Sequence, residues 1–545
     1  MKYIDLEHNF FGRTDILKLL KRRVVDLKDG YRQNVALLGS PHVGKSSILK
    51  NFILNFEDEC ITSIYLDLEN KDSQYVYSKF CGSLLFNHLQ SKGLPVQEDL
   101  NLLLETAQKH IPQTVQVIKK VREDFAQRKL KDSFLGLLTL SEVYTNETSK
   151  YCILILDEFQ NLEDILGEHA FQDLGKKIMT QKKCFYLFAS SYKAAAQKIL
   201  SEKLSLLFGN FEMIHVGTFD LKTSQEFIAH NLKDVKASVQ LKHFLTDFTG
   251  GHPLYLNLVC KELMNLSAVY KQDEIYMPLL AQAVENTLFN RWGVISRHFE
   301  LMINDLCYGK DNRVVSSILM ALSNGQHKQE DIFENTGVNK TQIRQKMTRL
   351  MEQGIVVKNG QFHYLQDKLF KYWVKYVYQK RLKDVELSPD KQKKEFKEEF
   401  GRSMESIRLS SSRDFSSRVV DLLHCFDNES FDLNGRKYKL PVFREVVPFK
   451  LKNDGGASLD MIKAKTDDSW WVIALKKDSV VENDVNAIIS ESKQLGVKPD
   501  RCVIISLADL EENARLKALQ EKFWIWNEGE LNTLLTVFDK PYILK

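Results

Sequence analysis

Two short stretches, far apart in the chain, carry residue types that can work on one substrate. The first, Gly39-Ser40-Pro41-His42-Val43-Gly44-Lys45-Ser46, matches G-x-x-x-x-G-K-[ST]. Its glycines let the main chain turn so that successive N–H groups converge on an anion, while the helix that follows aims its positive end at the same point. Lys45 is spaced to reach the β- and γ-phosphates of a nucleoside triphosphate, the Ser46 hydroxyl to hold Mg2+, and Ser47 extends the same turn. The second stretch is Asp157-Glu158. An aspartate there organises the magnesium through its water shell, and a glutamate orients and polarises an attacking water.

The elements around these residues suit that chemistry. Val35 to Leu38 is an apolar run of the kind that forms a buried parallel strand, and Ile48-Leu49 to Phe52-Ile53 has the spacing of a helix. Tyr151 to Leu156 is a second buried strand, delivering Asp157-Glu158 at its end, and Cys184 to Ala189 is a third, ending in Ser190-Ser191. Those hydroxyls either face the γ-phosphate and its water or cap the next helix. Ile61 to Leu68 is a further strand whose following Glu69 and Asn70, with Asp67, lie either on the ligand edge of a parallel sheet or in a plain polar turn. Residues 72–148 have helical periodicity and form an excursion between two strands. The fold class this order predicts is α/β, a P-loop NTPase parallel sheet with appended domains.

These residues resemble the archaeal-type ATPases of the AAA+/STAND group within the P-loop superfamily, from the N-terminus to about residue 380. The likeness runs through Phe10-Phe11-Gly12-Arg13, the phosphate loop, the strand ending in Asp157-Glu158, and Thr249-Gly250-Gly251-His252-Pro253. It implies ATP and Mg2+ as cofactors and an ATP-driven or ATP-gated switch. The matching positions are Arg13, Lys45, Ser46, Asp157, Glu158 and Pro253, the last at the start of a helical lid near the adenine. Two positions depart from the pattern. Ile16 stands where the family has a glutamate, and Phe208-Gly209-Asn210-Phe211 has asparagine where the family has arginine. An arginine finger contributes roughly 10³–10⁵ in rate, so slow intrinsic hydrolysis is expected unless an arginine comes from another subunit or a partner.

A chain of 545 residues exceeds one core. The expected division is an ATPase core over 1–220, a helical lid over 221–305, a winged helix over 306–378, a charged linker over 379–402 and a degenerate nuclease-like α/β domain over 403–545. A composition of 43% hydrophobic and 27% charged residues is that of a globular protein. No apolar run spans a bilayer, and the mixed, polar start Met1 to Asn9 is unlike a signal peptide, so a cytoplasmic protein without a membrane partner is expected. The eight cysteines stand singly, with no C-x-x-C pair to hold zinc, and read as reduced thiols. A net charge of +4 is too small to predict nucleic-acid binding without local patches.

One such patch is in the middle of the chain. Val314 to Leu322, Asp331 to Gly337 and Lys340 to Gln353 read as three helices, and Ile355 to Leu365 as a hairpin turning at Asn359-Gly360. That order describes a winged helix. Its third helix offers Lys340, Gln342, Arg344 and Lys346, with Lys358 on the wing, to the backbone and major groove of double-stranded DNA. The alternative is a packing module or hinge with a solvated polar face. Asp367-Lys368-Leu369-Phe370-Lys371-Tyr372-Trp373 closes the unit and is similar to the D-x-x-F-x-x-W segment of the same ATPases. A protein partner or homo-oligomer is a further expectation.

From about Gly401 the order of helix, three strands, helix and strand resembles the PD-(D/E)xK nuclease-like fold. That resemblance implies a metal-binding aspartate on one strand and Glu-x-Lys on the next. Asp460 matches the first position and Lys476 the last, but Ala474 replaces the glutamate and has no oxygen for a metal. The expectation is a nuclease frame retired from cleavage. An ATP-gated DNA nuclease and a non-hydrolysing nucleotide-bound scaffold are the alternatives.

Overall fold

The computed structural model describes residues 10–542, except 57, 95, 205–208, 210, 234, 308–311, 384–388, 453–457 and 495–498. The N-terminal stretch Met1 to Asn9 and the departing Asn210 lie outside the described residues. The chain divides into two compact units, one reaching to Phe219 and including Glu352–Gly354, the other holding Asp220–Met351 and the remainder from Ile355.

The first unit is built on five parallel strands: β1 (Asn34–Leu38), β2 (Ile61–Asp67), β3 (Tyr151–Asp157), β4 (Cys184–Ser190) and β5 (Phe211–His215), in the order β2-β3-β4-β1-β5. Strands covered on both faces are apolar on both. Along β1, Val35 and Leu37 enter one core with Ile153, Ile155 and Leu187, while Ala36 and Leu38 enter the other with Leu154, Leu156 and Phe188. Helices α1 (Thr14–Lys28) and α2 (Lys45–Leu54) cover the first face through Leu20, Val24, Ile48 and Phe52. The helical excursion covers the second, as α3 (Ser73–Ser91), α4 (Leu100–Ala107), α5 (Pro112–Ala126) and α6 (Leu130–Thr148), contributing Leu84, Leu104, Ile118 and Tyr144. The register pairs Asp67 with Asp157 and Leu38 with Ser190, so the C-terminal ends of four strands share one edge.

The second unit starts with α7 (Leu221–Leu232), α8 (Val239–Thr249) and α9 (Pro253–Tyr270). Gly250 and Gly251 both take positive φ, 62° and 68°, in the turn that joins α8 to α9, and Pro253 occupies the first turn of α9, where its missing N–H is no loss. Further on come α10 (Asn312–Ser323), α11 (Gln329–Thr336), α12 (Lys340–Glu352), the antiparallel pair β6 (Val356–Asn359) and β7 (Phe362–Leu365), and α13 (Lys368–Trp373). The hairpin turn falls at Gly360-Gln361, one residue later than the Asn-Gly pair suggests, because Asn359 pairs with Phe362 inside the ladder.

The remainder begins with α14 (Phe415–Leu423), followed by a hairpin of β8 (Glu429–Leu433) and β9 (Arg436–Leu440). The main sheet runs β10-β11-β12-β13-β14, from β10 (Glu445–Lys452), β11 (Ser458–Lys465), β12 (Trp470–Lys476), β13 (Arg501–Ser506) and β14 (Trp524–Trp526). The first two junctions are antiparallel and the last two parallel. Helices α15 (Glu482–Gln494) and α16 (Glu528–Val537) accompany it. The β8–β9 hairpin is unforeseen by the strand reading of the sequence, although Asn434 and Gly435, at φ 50° and 76°, are the residues a two-residue hairpin turn demands. It is joined to the first hairpin: the Asn359 side chain donates to Asp432 O at 2.9 Å and accepts from Asp432 N at 2.6 Å, and Phe362 stacks on Phe431 at 5.3 Å. Among the described residues no helix is long and apolar enough to cross a membrane.

Candidate functional site

The phosphate loop follows directly from the packing of β1. Gly39 N–H donates to Ser190 O at 3.2 Å, and a Cβ at Gly39 would lie 2.1 Å from Val216 O, so no other residue fits this approach to the next strand exit. The loop then exposes Pro41 and His42, buries Val43, and turns into α2 at Gly44, whose φ of 100° again requires glycine. Lys45 heads that helix with its side chain buried. Its ammonium donates to Gly39 O at 3.0 Å, Ser40 O at 2.8 Å and Ser191 Oγ at 2.9 Å. Burial pushes the lysine below its ordinary pKa, and Glu158, Asp157 and Glu69 oppose that. Ser46 and Ser47 are half-buried in the first turn beside it.

Asp157 ends β3 and is 1% exposed. Its carboxylate accepts from Tyr65 OH at 2.8 Å and from the Ser46 hydroxyl, while burial raises its pKa against those two bonds. The hydroxyl and carboxylate expected to share a magnesium ion therefore meet, and the donor set fits a hard cation. Glu158 follows in the left-handed region, φ 52° and ψ 46°, a conformation a non-glycine residue holds only when its surroundings impose it. What imposes it is a set of hydrogen bonds: the carboxylate accepts from Ser191 N at 2.9 Å, from Ser191 Oγ, and from Gln160 Nε2 at 2.8 Å. The two serines after β4 thus divide their tasks. Ser190 accepts from Tyr192 N at 3.1 Å and serves the local turn, whereas Ser191 joins Lys45 to Glu158.

Glu69 shares this edge, its pKa raised by burial and by Glu158, Asp67 and Asp157. Arg13 sits against the outside of the phosphate loop: its guanidinium donates to Gly217 O, lies 3.4 Å from Val43 O and covers the Phe219 ring at 4.8 Å. Tyr65 and Ser191 carry no motif of their own. Tyr65 is legible only as an aromatic two residues before Asp67, and Ser191 only as one of two serines.

Pro253 and the remaining sequence-predicted residues belong to the second unit. On α12, Lys340, Gln342 and Arg344 are exposed and Lys346 half-buried, while Ile343, Met347 and Leu350 are buried on the opposite side. In the last sheet the register separates the residues that the nuclease pattern brings together. Asp460 pairs with Leu475, whereas Ala474 pairs with Met461. Ala474, Val472, Met461 and Leu459 enter one core and Leu475, Ile473 and Ile462 the other, so Asp460 stands on the face opposite Ala474 and Lys476. Lys476 is bound instead to the Asp484 carboxylate at the start of α15, and Asp460 faces Lys450 at 3.8 Å. Among the described residues no three histidine, cysteine or acidic side chains converge as a metal cage.

A parallel five-stranded sheet that ends β1 in a glycine-bent loop, with a buried lysine, a serine and a strand-terminal aspartate at its edge, defines a P-loop α/β protein. An uncharacterised ATP-binding protein of Methanocaldococcus jannaschii is similar to this chain, 23% identical over 275 residues that cover 47% of the chain and 71% of the relative. Among solved structures, the Walker-type ATPase of Pyrococcus abyssi is 16% identical with a TM-score of 0.47, covering 67% of this chain and 96% of its own. The ORC2 protein of Aeropyrum pernix, in ADPNP–ADP complexes, is 14% identical with a TM-score of 0.44 and covers 70% and 98%. No protein-family model matches the chain.

Proposed function

We propose that the chain is an ATP-dependent molecular switch. In this reading the loop from Gly39 to Ser47 binds the phosphates of Mg-ATP, Ser46 and Asp157 hold the magnesium, and Glu158 directs a water at the γ-phosphate. Magnesium would neutralise phosphate charge as it develops. Lys45 would exchange the carbonyls of Gly39 and Ser40 for phosphate oxygens, and Arg13 would brace the loop from outside. The observation that carries the reading is the single network Lys45–Ser191–Glu158, which links the phosphate-binding cation to the candidate base through one hydroxyl.

Occupancy would bias the helical lid over 221–305 and through it the winged helix over 306–378 and the nuclease-like domain. The exposed row Lys340, Gln342 and Arg344 supports duplex DNA as the partner of α12, with a protein partner or a second copy of the chain as the competing occupant. Cleavage is not part of the proposal, because Asp460 and Lys476 lie on opposite faces of the sheet.

A second reading, a nucleotide-bound scaffold without turnover, is favoured by one observation: the Glu158 carboxylate is already held by Ser191 and Gln160. Phosphate release from Mg-ATP by the wild type and Glu158→Gln, with and without duplex DNA, separates the two. Turnover that depends on Glu158 supports the switch. Tight ATP binding with no turnover in either protein supports the scaffold and overturns the hydrolytic part of the proposal.

A further inference from the structure

Asp157, at the end of β3, is tied to β2 by both its main chain and its side chain. Its carbonyl accepts from Leu68 N at 3.0 Å, and its Oδ2 accepts from the Tyr65 hydroxyl at 2.8 Å. The register explains why one neighbouring strand supplies both bonds. Asp67 pairs with Asp157 and Tyr65 with Ile155, so Tyr65 and the Asp157 carboxylate lie on the same face of the sheet. That is the face α2 covers: the Tyr65 ring packs against the core holding Ile153, Ile155 and Ile48, and the Lys50 ammonium lies over it at 5.9 Å. Lys50 stands one helical turn beyond Ser46, so the ring supports the helix that carries the serine.

The carboxylate has little room left. Oδ2 accepts from Tyr65, Oδ1 accepts from Glu158 N at 3.1 Å, and the Ser46 hydroxyl is a third donor. An ionised carboxylate offers about four acceptor sites, so these bonds leave about one for a water of a magnesium shell. Of the three donors, Tyr65 comes from outside both the phosphate loop and the Asp157-Glu158 pair. Burial and the Asp157 charge push its phenol pKa above the usual value, so it stays protonated and donates.

We propose that Tyr65 is a positioning residue for the magnesium site: its hydroxyl fixes the rotation of the Asp157 carboxylate, so that the remaining acceptor site meets the metal's water shell beside Ser46. The inference rests on the reading of Ser46 and Asp157 as that site. Partners that orient a metal's carboxylate govern metal affinity by roughly 10–100-fold. Tyr65 therefore acts on the metal and not on the nucleotide, whose phosphates belong to the loop from Gly39 to Ser47.

The test uses the full chain, with Mn2+ as a spectroscopic substitute for Mg2+. Free Mn2+ is counted by electron paramagnetic resonance with ADP saturating, and ADP affinity is measured by calorimetry in EDTA. Tyr65→Phe deletes the hydroxyl and keeps the ring. It is expected to weaken Mn2+ about tenfold while ADP affinity in EDTA stays within about twofold of the wild type. Thr62→Val is the control for losing a β2 hydroxyl. Thr62 is 2% exposed and bonded at 2.7 Å to the Tyr144 hydroxyl in the opposite core, so its loss should leave Mn2+ affinity unchanged. Equal weakening of Mn2+ in Thr62→Val and Tyr65→Phe would make the effect one of general stability and overturn the proposal. Unchanged Mn2+ affinity in Tyr65→Phe, beside a wild type that binds ADP and Mn2+ together, overturns the role of Tyr65 alone. Failure of the wild type to bind Mn2+ with ADP overturns the magnesium reading and the role of Tyr65 with it.

Discussion

Glu158 accepts two hydrogen bonds from Ser191, one from its main-chain N–H at 2.9 Å and one from its hydroxyl, and the same hydroxyl accepts from Lys45 at 2.9 Å. The candidate base and the candidate phosphate clamp therefore share one small side chain. Ser191→Ala leaves the N–H bond to Glu158 intact but removes the hydroxyl that joins the Lys45 ammonium to that carboxylate. Turnover of Mg-ATP is expected to fall by about 10–100-fold with nucleotide affinity within threefold, as loss of a positioning group does. Steady-state phosphate release beside equilibrium nucleotide binding checks this, and an equal loss in both would sink it.

Asn359 is 5% exposed and satisfies both main-chain groups of Asp432. Asn359→Ala leaves that donor and acceptor without partners, which costs about 1–3 kcal/mol. Urea unfolding followed by tryptophan fluorescence should show the midpoint falling for the transition of the second unit, while Lys358→Ala, at an exposed neighbour, should leave it unmoved.

If α12 contacts duplex DNA, Lys340→Gln with Arg344→Gln should weaken binding and reduce the slope of log affinity against log salt by about two. Titrations at several salt concentrations decide it. An unchanged slope would leave the exposed face of α12 to a protein partner.

Asp539 offers a pH signature. Burial works against its ionised form, but His327 at 3.1 Å and the Lys371 ammonium outweigh that and hold its pKa down to about 2. A depressed carboxylate pKa contributes stability that is complete above the unfolded value, near 4, and is lost as pH falls towards 2. The side chain is 40% exposed, so solvent screening limits the contribution to about 1 kcal/mol or less. Acid unfolding of Asp539→Asn should be flatter than that of the wild type between pH 4 and 2.

Restoring the missing glutamate should not restore a nuclease. Ala474→Glu places a carboxylate among Val472, Met461 and Ile504, on the face away from Asp460. We expect a loss of about 3 kcal/mol or more and no metal-dependent cleavage. Thermal unfolding and a plasmid-nicking assay check the two halves of that expectation.

The amino-acid sequence alone determined the phosphate loop, because Gly39, Gly44, Lys45 and Ser46 act through local main-chain geometry, and the neighbouring apolar runs specify strand and helix within a few residues. It also determined Asp157-Glu158 and the four strands that share their edge, since buried parallel strands are rich in apolar residues. The tertiary structure decided what depends on register and on distant partners. Whether Asp460 and Ala474 share a face turns on a one-residue offset between paired strands, and strand pairing has a side-chain period of two. Ser191 and Tyr65 gain their roles from residues 33 and 92 positions away. Chain separation of that size leaves no periodic trace, because only packing brings such groups within hydrogen-bond reach.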